Sequence, residues 1–276
     1  MNDIKIQTPK YALNTGIKGT NNLDFQHKIF ENDSYDHLQK AGLSKGKIIW
    51  DIGCGSGIIT EYLAKMVGDN GYVYAMDISQ EQIKIAQERI KSSNQKNVEF
   101  ITDNIENIDP SKYKKADIIF SRFLLMHLNN PINALKIMSS LLKENGVISS
   151  EEPSMDSFKQ NKLSNPYLNK FYNLLISYGK LQNVDYNIGK KLENICKELN
   201  IFSKIQSYSK KYTPTENIKK LISLRLDELE YNLINSNLTS KDEYKILKEN
   251  IRNFLKSDKS NEFAIIAEQF YLLAYK

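Results

Sequence analysis

The run Trp50-Asp51-Ile52-Gly53-Cys54-Gly55-Ser56-Gly57 carries the clearest chemical signal in the chain. Glycines at alternate positions follow a short apolar stretch, Ile48 to Trp50, and precede a helical pattern from Ile58 to Val67. Glycine permits the backbone conformations of a sharp strand-to-helix turn and lets a ligand lie close to the main chain. The N–H groups at the start of the helix face the same place. Such a turn holds a nucleotide-like cofactor. Two further residues offer acid–base chemistry: His127, a few residues past the apolar run Asp117–Ser121, and Tyr11, in the polar N-terminal segment. The pair Glu151-Glu152 ends another apolar run at the rim of the same pocket. One of these carboxylates could meet a cationic substrate, and at least one is expected to face solvent. Cys54 lies in the turn as a small residue that fits it; a helix N-terminus could also activate its thiol. With Cys196 it forms no CxxC pair, so neither a metal site nor a disulfide framework is expected.

Short apolar runs alternate with amphipathic helices from about Lys47 to Glu152. Strands are predicted at Ile48–Asp51, Tyr72–Asp77, Val98–Thr102, Asp117–Ser121 and Gly146–Glu151. Helices are predicted at Ile58–Met66, Ser79–Ser92 and Pro131–Leu142. Ile83, Ala86 and Ile90 define one buried face of the second helix, and Ser79 with Gln82 reads as a capping box. Pro131 suits a first helical turn. Repeated strand–helix units imply a doubly wound, mostly parallel α/β sheet. After Pro153 the pattern changes. Helices are expected within Asn165–Leu199, at Pro214–Ile234 and at Ser240–Leu255, and strands at Phe202–Tyr212 and Phe263–Tyr275. The two late strands would complete a seven-stranded sheet, with the helices around them inserted as a cap over the strand ends. Residues 1–46 read as an N-terminal helical flap, 47–153 as the cofactor-binding core, and 154–276 as cap insertions plus the last strands of the same domain.

The glycine turn departs from the dinucleotide fingerprint, because Ile58 stands where G-x-G-x-x-G needs its last glycine. Asp51 ahead of the turn is unfavourable to a pyrophosphate and favourable to a ligand bearing an ammonium group. S-adenosylmethionine has that group and no phosphate. Asp77 suits ribose hydroxyls, a feature shared with NAD proteins. Asp51-Ile-Gly-Cys-Gly-Ser-Gly57, Val73-Tyr-Ala-Met-Asp77-Ile-Ser79, Phe100-Ile-Thr-Asp103-Asn104 and Asp117-Ile-Ile-Phe-Ser-Arg122 resemble, in order, the motifs of class I S-adenosylmethionine-dependent methyltransferases. The resemblance covers the stretch from Ile48 to Glu152. It implies that Gly53 and Gly55 support the methionine portion, with Asp51 on the ammonium side. It further implies that Asp77 binds the ribose, Ile78 packs on adenine, and Asp103 and Asn104 read the adenine edge. Ser121 or Arg122 would lie along the methionine chain. Asp103 could instead cap a loop, and Arg122 could contribute its backbone while its side chain pairs with a carboxylate.

Methyl transfer from a sulfonium relies on alignment and desolvation, and needs a base only where the acceptor starts protonated. His127 stands where small-molecule N- and O-methyltransferases of this class often carry a histidine. Phosphoethanolamine methyltransferases are similar, with Ser-Arg-Asp-x-x-x-His and a partnering N-terminal tyrosine, but this chain has Phe123 in place of their aspartate. His127 as base or orienter therefore stands beside His127 as a local capping residue. Tyr11 as a flap residue over the cofactor stands beside Tyr11 as packing. The sequence after the fourth strand lacks the signature of amino-group methylation on adenine or glutamine. No Pro-Cys nucleophile or catechol-type carboxylate cluster is seen. Lysine is spread among acidic residues at a net charge of +5, which reads as a solvated surface rather than a nucleic-acid groove. No membrane-span-length apolar run occurs, and the polar first ten residues lack a signal-peptide centre, so a cytoplasmic location is expected. The expectation is methyl transfer to N or O of a small molecule. An NAD-dependent oxidoreductase, a non-catalytic cofactor-binding protein and an RNA methyltransferase are the competing readings.

Overall fold

A computed structural model of the chain describes residues 16–156, 165–262 and 267–276. Helix α1 (Gly16–Lys40) leads into β1 (Ile48–Ile52), α2 (Ile58–Val67), β2 (Tyr72–Asp77), α3 (Gln80–Ser92), β3 (Val98–Thr102), β4 (Ala116–Arg122), α4 (Pro131–Leu141) and β5 (Leu142–Ser154). Helices α5 (Pro166–Leu181) and α6 (Leu192–Leu199) precede β6 (Lys204–Tyr212). Helices α7 (Glu216–Asn235) and α8 (Lys241–Lys256) then precede β7 (Ala267–Tyr275). The strands form one sheet in the order β3-β2-β1-β4-β5-β7-β6. The first five run parallel, and β7 lies antiparallel to both β5 and β6. This is the doubly wound, mostly parallel seven-stranded arrangement expected from the sequence. Among the described residues no helix is long and apolar enough to cross a membrane.

Local chemistry sets the element ends. Asn130 caps α4 by accepting from the Asn133 N–H at 3.0 Å, with Pro131 in the first turn. Thr215 caps α7, and Ser240 with Glu243 makes a full capping box on α8. Ser79 caps α3 by accepting from the Gln82 N–H at 3.3 Å. The reciprocal half of that predicted box is not formed: the Gln82 side-chain amide is buried and turned away, without a partner among the described residues. Strand β5 runs further at both ends than the predicted Gly146–Glu151: β7 pairs with it as far as Ser154, and Leu142 pairs with Ala116 of β4 across a register shift.

Strands β1, β2 and β4 are buried along nearly their whole lengths, as in a parallel sheet covered on both faces. Trp50 is fully buried and stacks on Tyr74 at 4.9 Å between ring centres. The exposed edge strand β6 carries Lys204, Lys210 and Lys211, charges that discourage edge-to-edge pairing. Helix α1 is tied to the sheet by side chains. Ser34 donates to Glu151 at 2.7 Å, and Asp24 accepts from Ser56 at 2.8 Å and from Arg89 at 2.6 Å. Phe30 inserts edge-on against Phe123 and Tyr212. On its other side α1 meets α7, where Gln26 accepts from Arg225 at 2.7 Å.

Candidate active site

The turn after β1 has the geometry its glycines require. Gly53, Gly55 and Gly57 all have positive φ, at 76°, 54° and 77°. The Gly53 and Cys54 N–H groups donate to the Met76 carbonyl, which draws the turn against the end of β2. Gly57 does a second job. A Cβ there would stand 2.7 Å from the Ala86 Cβ on α3, so Gly57 is where the two helices approach too closely for a side chain. In the dinucleotide fingerprint that role belongs to the last glycine; here it falls one residue earlier. Gly57→Ala is expected to lower stability by about 2–4 kcal/mol, from the left-handed backbone and the overpacking together. Urea unfolding measures this, and a loss under 1 kcal/mol would show that α3 shifts freely.

A cavity of about 290 Å³ opens beside this turn, over the carboxyl ends of the strands. Asp51, Gly53, Gly55, Asp77, Ile78, Asp103, Asn104, Arg122 and His127 all line it. Asp77 is buried, and its two carboxylate oxygens accept from the Gly55 N–H at 2.9 Å and the Ser79 N–H at 2.8 Å. Burial raises its pKa, against the pull of those N–H groups. Ile78 beside it is 47 % exposed, an apolar side chain offered to the cavity. The Asp103 carboxylate accepts from the Asn104 N–H at 2.7 Å, and the Asn104 side chain from the Glu106 N–H at 3.0 Å. Both residues thus line the cavity and brace their own loop.

Asp51 is buried with a side-chain donor at one oxygen, the Thr60 hydroxyl at 2.6 Å. Desolvation raises its pKa to about 6, with Thr60 and the Arg122 charge opposing. A buried carboxylate so placed suits a cationic ligand group, which would draw the pKa back down. Together with the exposed Ile78 and the glycine turn, this fits S-adenosylmethionine better than a pyrophosphate ligand. The Arg122 guanidinium donates to the Ser34 hydroxyl at 3.0 Å and meets His27 Nδ1 at 3.2 Å, near the charges of Asp51 and Glu151.

Two expectations need correction. Ser121 does not line the cavity: it is fully buried, and its hydroxyl donates to Ser150 across the β4–β5 pair at 3.1 Å. Alternation along β4 sends it away from the site while Arg122 faces it. Glu151 and Glu152 do not face solvent; both are fully buried. Glu151 accepts from Ser34, and burial raises its pKa to about 7. Glu152 accepts from the N–H groups of Leu124, Leu125 and Met126, and burial raises it to about 8 against those donors. Cys54 is buried and its thiol pKa is pushed up by burial and by the Asp51 and Asp77 charges, which leaves it a packing residue. Tyr11 lies outside the described residues.

The rest of the cavity wall has little counterpart among the sequence motifs. His127 ends a short 3-10 turn, Leu125–His127, and its ring meets Tyr186 edge-on at 5.7 Å. Phe171, Tyr172 and Leu175 from α5, with Ile222, Arg225 and Leu229 from α7, line the same cavity. Arg225 pairs with Glu228 and Gln26, joining this wall to α1. Burial, then the Arg225 charge, lowers the His127 pKa to about 4, so its imidazole is neutral at pH 7. Helical periodicity identified α5 and α7 but could not say which of their turns would face the cavity.

Comparison with known proteins agrees with this geometry. The family model described as "Methyltransferase domain" matches residues 43–251. A demethylmenaquinone methyltransferase of Geobacillus stearothermophilus is 26 % identical over 156 residues, 49 % of this chain and 66 % of its own. Another, from Geobacillus sp. strain WCH70, is 28 % identical over 128 residues, 45 % of this chain and 54 % of its own. The chain thus spans about half to two thirds of the length of the curated relatives it matches. Among solved structures, a putative methyltransferase from Bacillus halodurans superposes with a TM-score of 0.57 at 17 % identity, covering 89 % of this chain and 99 % of that one. Phosphoethanolamine N-methyltransferase 2 of Haemonchus contortus, solved with S-adenosyl-L-methionine, gives 0.55 at 18 % identity over 88 % and 52 % of the two chains. At those identities the likeness is one of fold. With the family model covering most of its length, and the glycine turn, Asp77 and Ile78 converging on one cavity, this chain belongs to the methyltransferase-domain family.

Proposed function

We propose that this protein transfers a methyl group from S-adenosylmethionine to an O or N atom of a small, largely apolar acceptor. One observation carries the reading: a single cavity is lined at one end by Asp51, the glycine turn, Asp77 and Ile78, and at the other by His127, Tyr186 and the aromatic and aliphatic side chains of α5 and α7. When bound, S-adenosylmethionine supplies an electrophilic methyl on a leaving group that needs no further activation. Asp51 would meet the ammonium, Asp77 the ribose hydroxyls, and Ile78, Asp103 and Asn104 the adenine. Arg122 would face the methionine chain, balancing the buried Asp51. His127, neutral and partnered edge-on by Tyr186, would orient the acceptor and accept its proton at an imidazole nitrogen. Tyr11 would act from the N-terminal segment.

Apolar walls exclude water and favour an acceptor with aromatic or aliphatic parts. The name of the curated relatives, demethylmenaquinone methyltransferase, supports an apolar, ring-bearing acceptor; menaquinone carries the added methyl on a ring carbon, so the name speaks for the shape of the acceptor and not for O or N as the methylated atom. Cytoplasmic residence and a small-molecule partner, rather than nucleic acid, complete the reading. The test is twofold. S-adenosylhomocysteine should raise the melting temperature where NAD does not. Radiolabelled methyl from S-adenosylmethionine should then reach members of a panel of phenols, quinols and amines. Stabilisation by NAD alone would sink the cofactor assignment. Cofactor binding with no transfer to any member would favour a non-catalytic binding protein.

A further inference from the structure

Glu152 is the most completely liganded carboxylate near the cavity, and it does not line it. Its Oε1 accepts from the Leu124 N–H at 2.9 Å and the Leu125 N–H at 2.7 Å, and its Oε2 from the Met126 N–H at 3.3 Å. These three consecutive donors begin the 3-10 turn that ends at His127, whose own N–H closes on the Leu124 carbonyl at 2.9 Å. The chain enters that turn through Phe123, a non-glycine residue held at φ 54°. Such a conformation persists only where the surroundings over-determine it. The buried carboxylate does so, because without it three N–H groups would lose their acceptor.

The main chain of the same residue shapes the opposite side of the His127 ring. Gly189, just after Tyr186, packs so tightly on β5 that a Cβ there would stand 2.4 Å from the Glu152 carbonyl oxygen. The Tyr186 carbonyl accepts from the Met155 N–H at 3.2 Å. The side chain of Glu152 therefore sets the turn that carries His127, while its backbone seats the segment that brings the Tyr186 ring edge-on to the imidazole. We infer that Glu152 is a positioning residue for the acceptor side of the site, holding the His127 imidazole in register with Tyr186 from both sides. Glutamine cannot replace it fully: a side-chain amide has one acceptor oxygen, and its NH2 would point a donor at the Met126 N–H.

This inference rests on the reading of His127 as the residue that faces the acceptor. The test follows the histidine ring signals by NMR in isotope-labelled protein saturated with S-adenosylhomocysteine, with His127 assigned through His127→Asn. In Glu152→Ala the His127 ring signals should shift or split while those of His27 and His37 stay in place. Glu152→Gln should restore most of the wild-type pattern. If a phenol or amine from the panel is methylated, kcat for that probe should fall about 10²-fold in Glu152→Ala, the scale expected of a misplaced catalytic group, with a much smaller change in KM for S-adenosylmethionine. Unchanged His127 signals, or equal shifts at all three histidines, would overturn the assignment. Where Glu152→Ala does not fold, amide exchange in Glu152→Gln decides. Faster exchange at Met126 with Leu125 still protected supports it, and wild-type exchange at both overturns it. Failure of the wild type to methylate anything would sink the proposed function and leave the NMR test in force.

Discussion

Asp77→Ala should weaken binding of S-adenosylmethionine and S-adenosylhomocysteine by about 10²–10⁴-fold, read by calorimetry on the folded variant. Two charge-assisted hydrogen bonds to ribose hydroxyls are worth about 1.5–3 kcal/mol each, and every 1.4 kcal/mol is a factor of ten. The carboxylate also braces its own surroundings, since its oxygens accept from the N–H groups of Gly55 and Ser79. Removing it is therefore expected to loosen the glycine turn as well as to remove the proposed ribose contact. Asp77→Asn separates the two effects. The amide keeps one acceptor for a backbone N–H but presents a donor in place of the other oxygen, so an intermediate loss is expected. An affinity within tenfold of wild type in Asp77→Ala would remove the residue from the cofactor site.

His127→Ala should lower kcat for a protonated acceptor by about 10²-fold or more, the usual scale for a general base, while leaving S-adenosylhomocysteine affinity nearly unchanged. The pH profile makes the prediction sharper. Burial and the Arg225 charge hold the imidazole pKa near 4. The base form is thus complete above about pH 5, and the acid limb assignable to His127 belongs near pH 4 rather than near the ordinary histidine value of about 6.5. The cost of that depression is a weaker base, which suits an acceptor whose proton is lost late or is already acidic. Wild-type turnover in His127→Ala would return the residue to a local packing role against Tyr186.

Much of the cofactor half was legible because its determinants are local. Positive φ at Gly53, Gly55 and Gly57 follows from glycine chemistry, the cap at Ser79 from its side chain, and the place of Pro131 in the first turn of α4 from its ring. The apolar runs of β1, β2 and β4 are continuous because parallel strands are covered on both faces. Even there, the Gln82 half of the α3 cap failed, since the Ser79 N–H that it would need donates to the Asp77 carboxylate instead.

The rest of the cavity and its supports were decided by partners distant in sequence. Glu151 meets Ser34 across 117 residues, and Glu152 meets the Leu124–Met126 turn across 26 to 28. No local pattern distinguishes a carboxylate destined for such donors from one left in water, so the solvent-facing expectation was the natural one and the structure reversed it. Ser121 is another case. Strand alternation dictates that it and Arg122 point to opposite faces, but only the packing of β5 and α1 tells which face is the site. By itself the sequence determined the sheet, the glycine turn and the class of cofactor, because backbone freedom and hydrophobic period act over a few residues. Tertiary structure decided which charges are buried, what holds His127 and which turns of α5 and α7 line the cavity, because those depend on desolvation and on hydrogen bonds between segments that meet only in the folded chain.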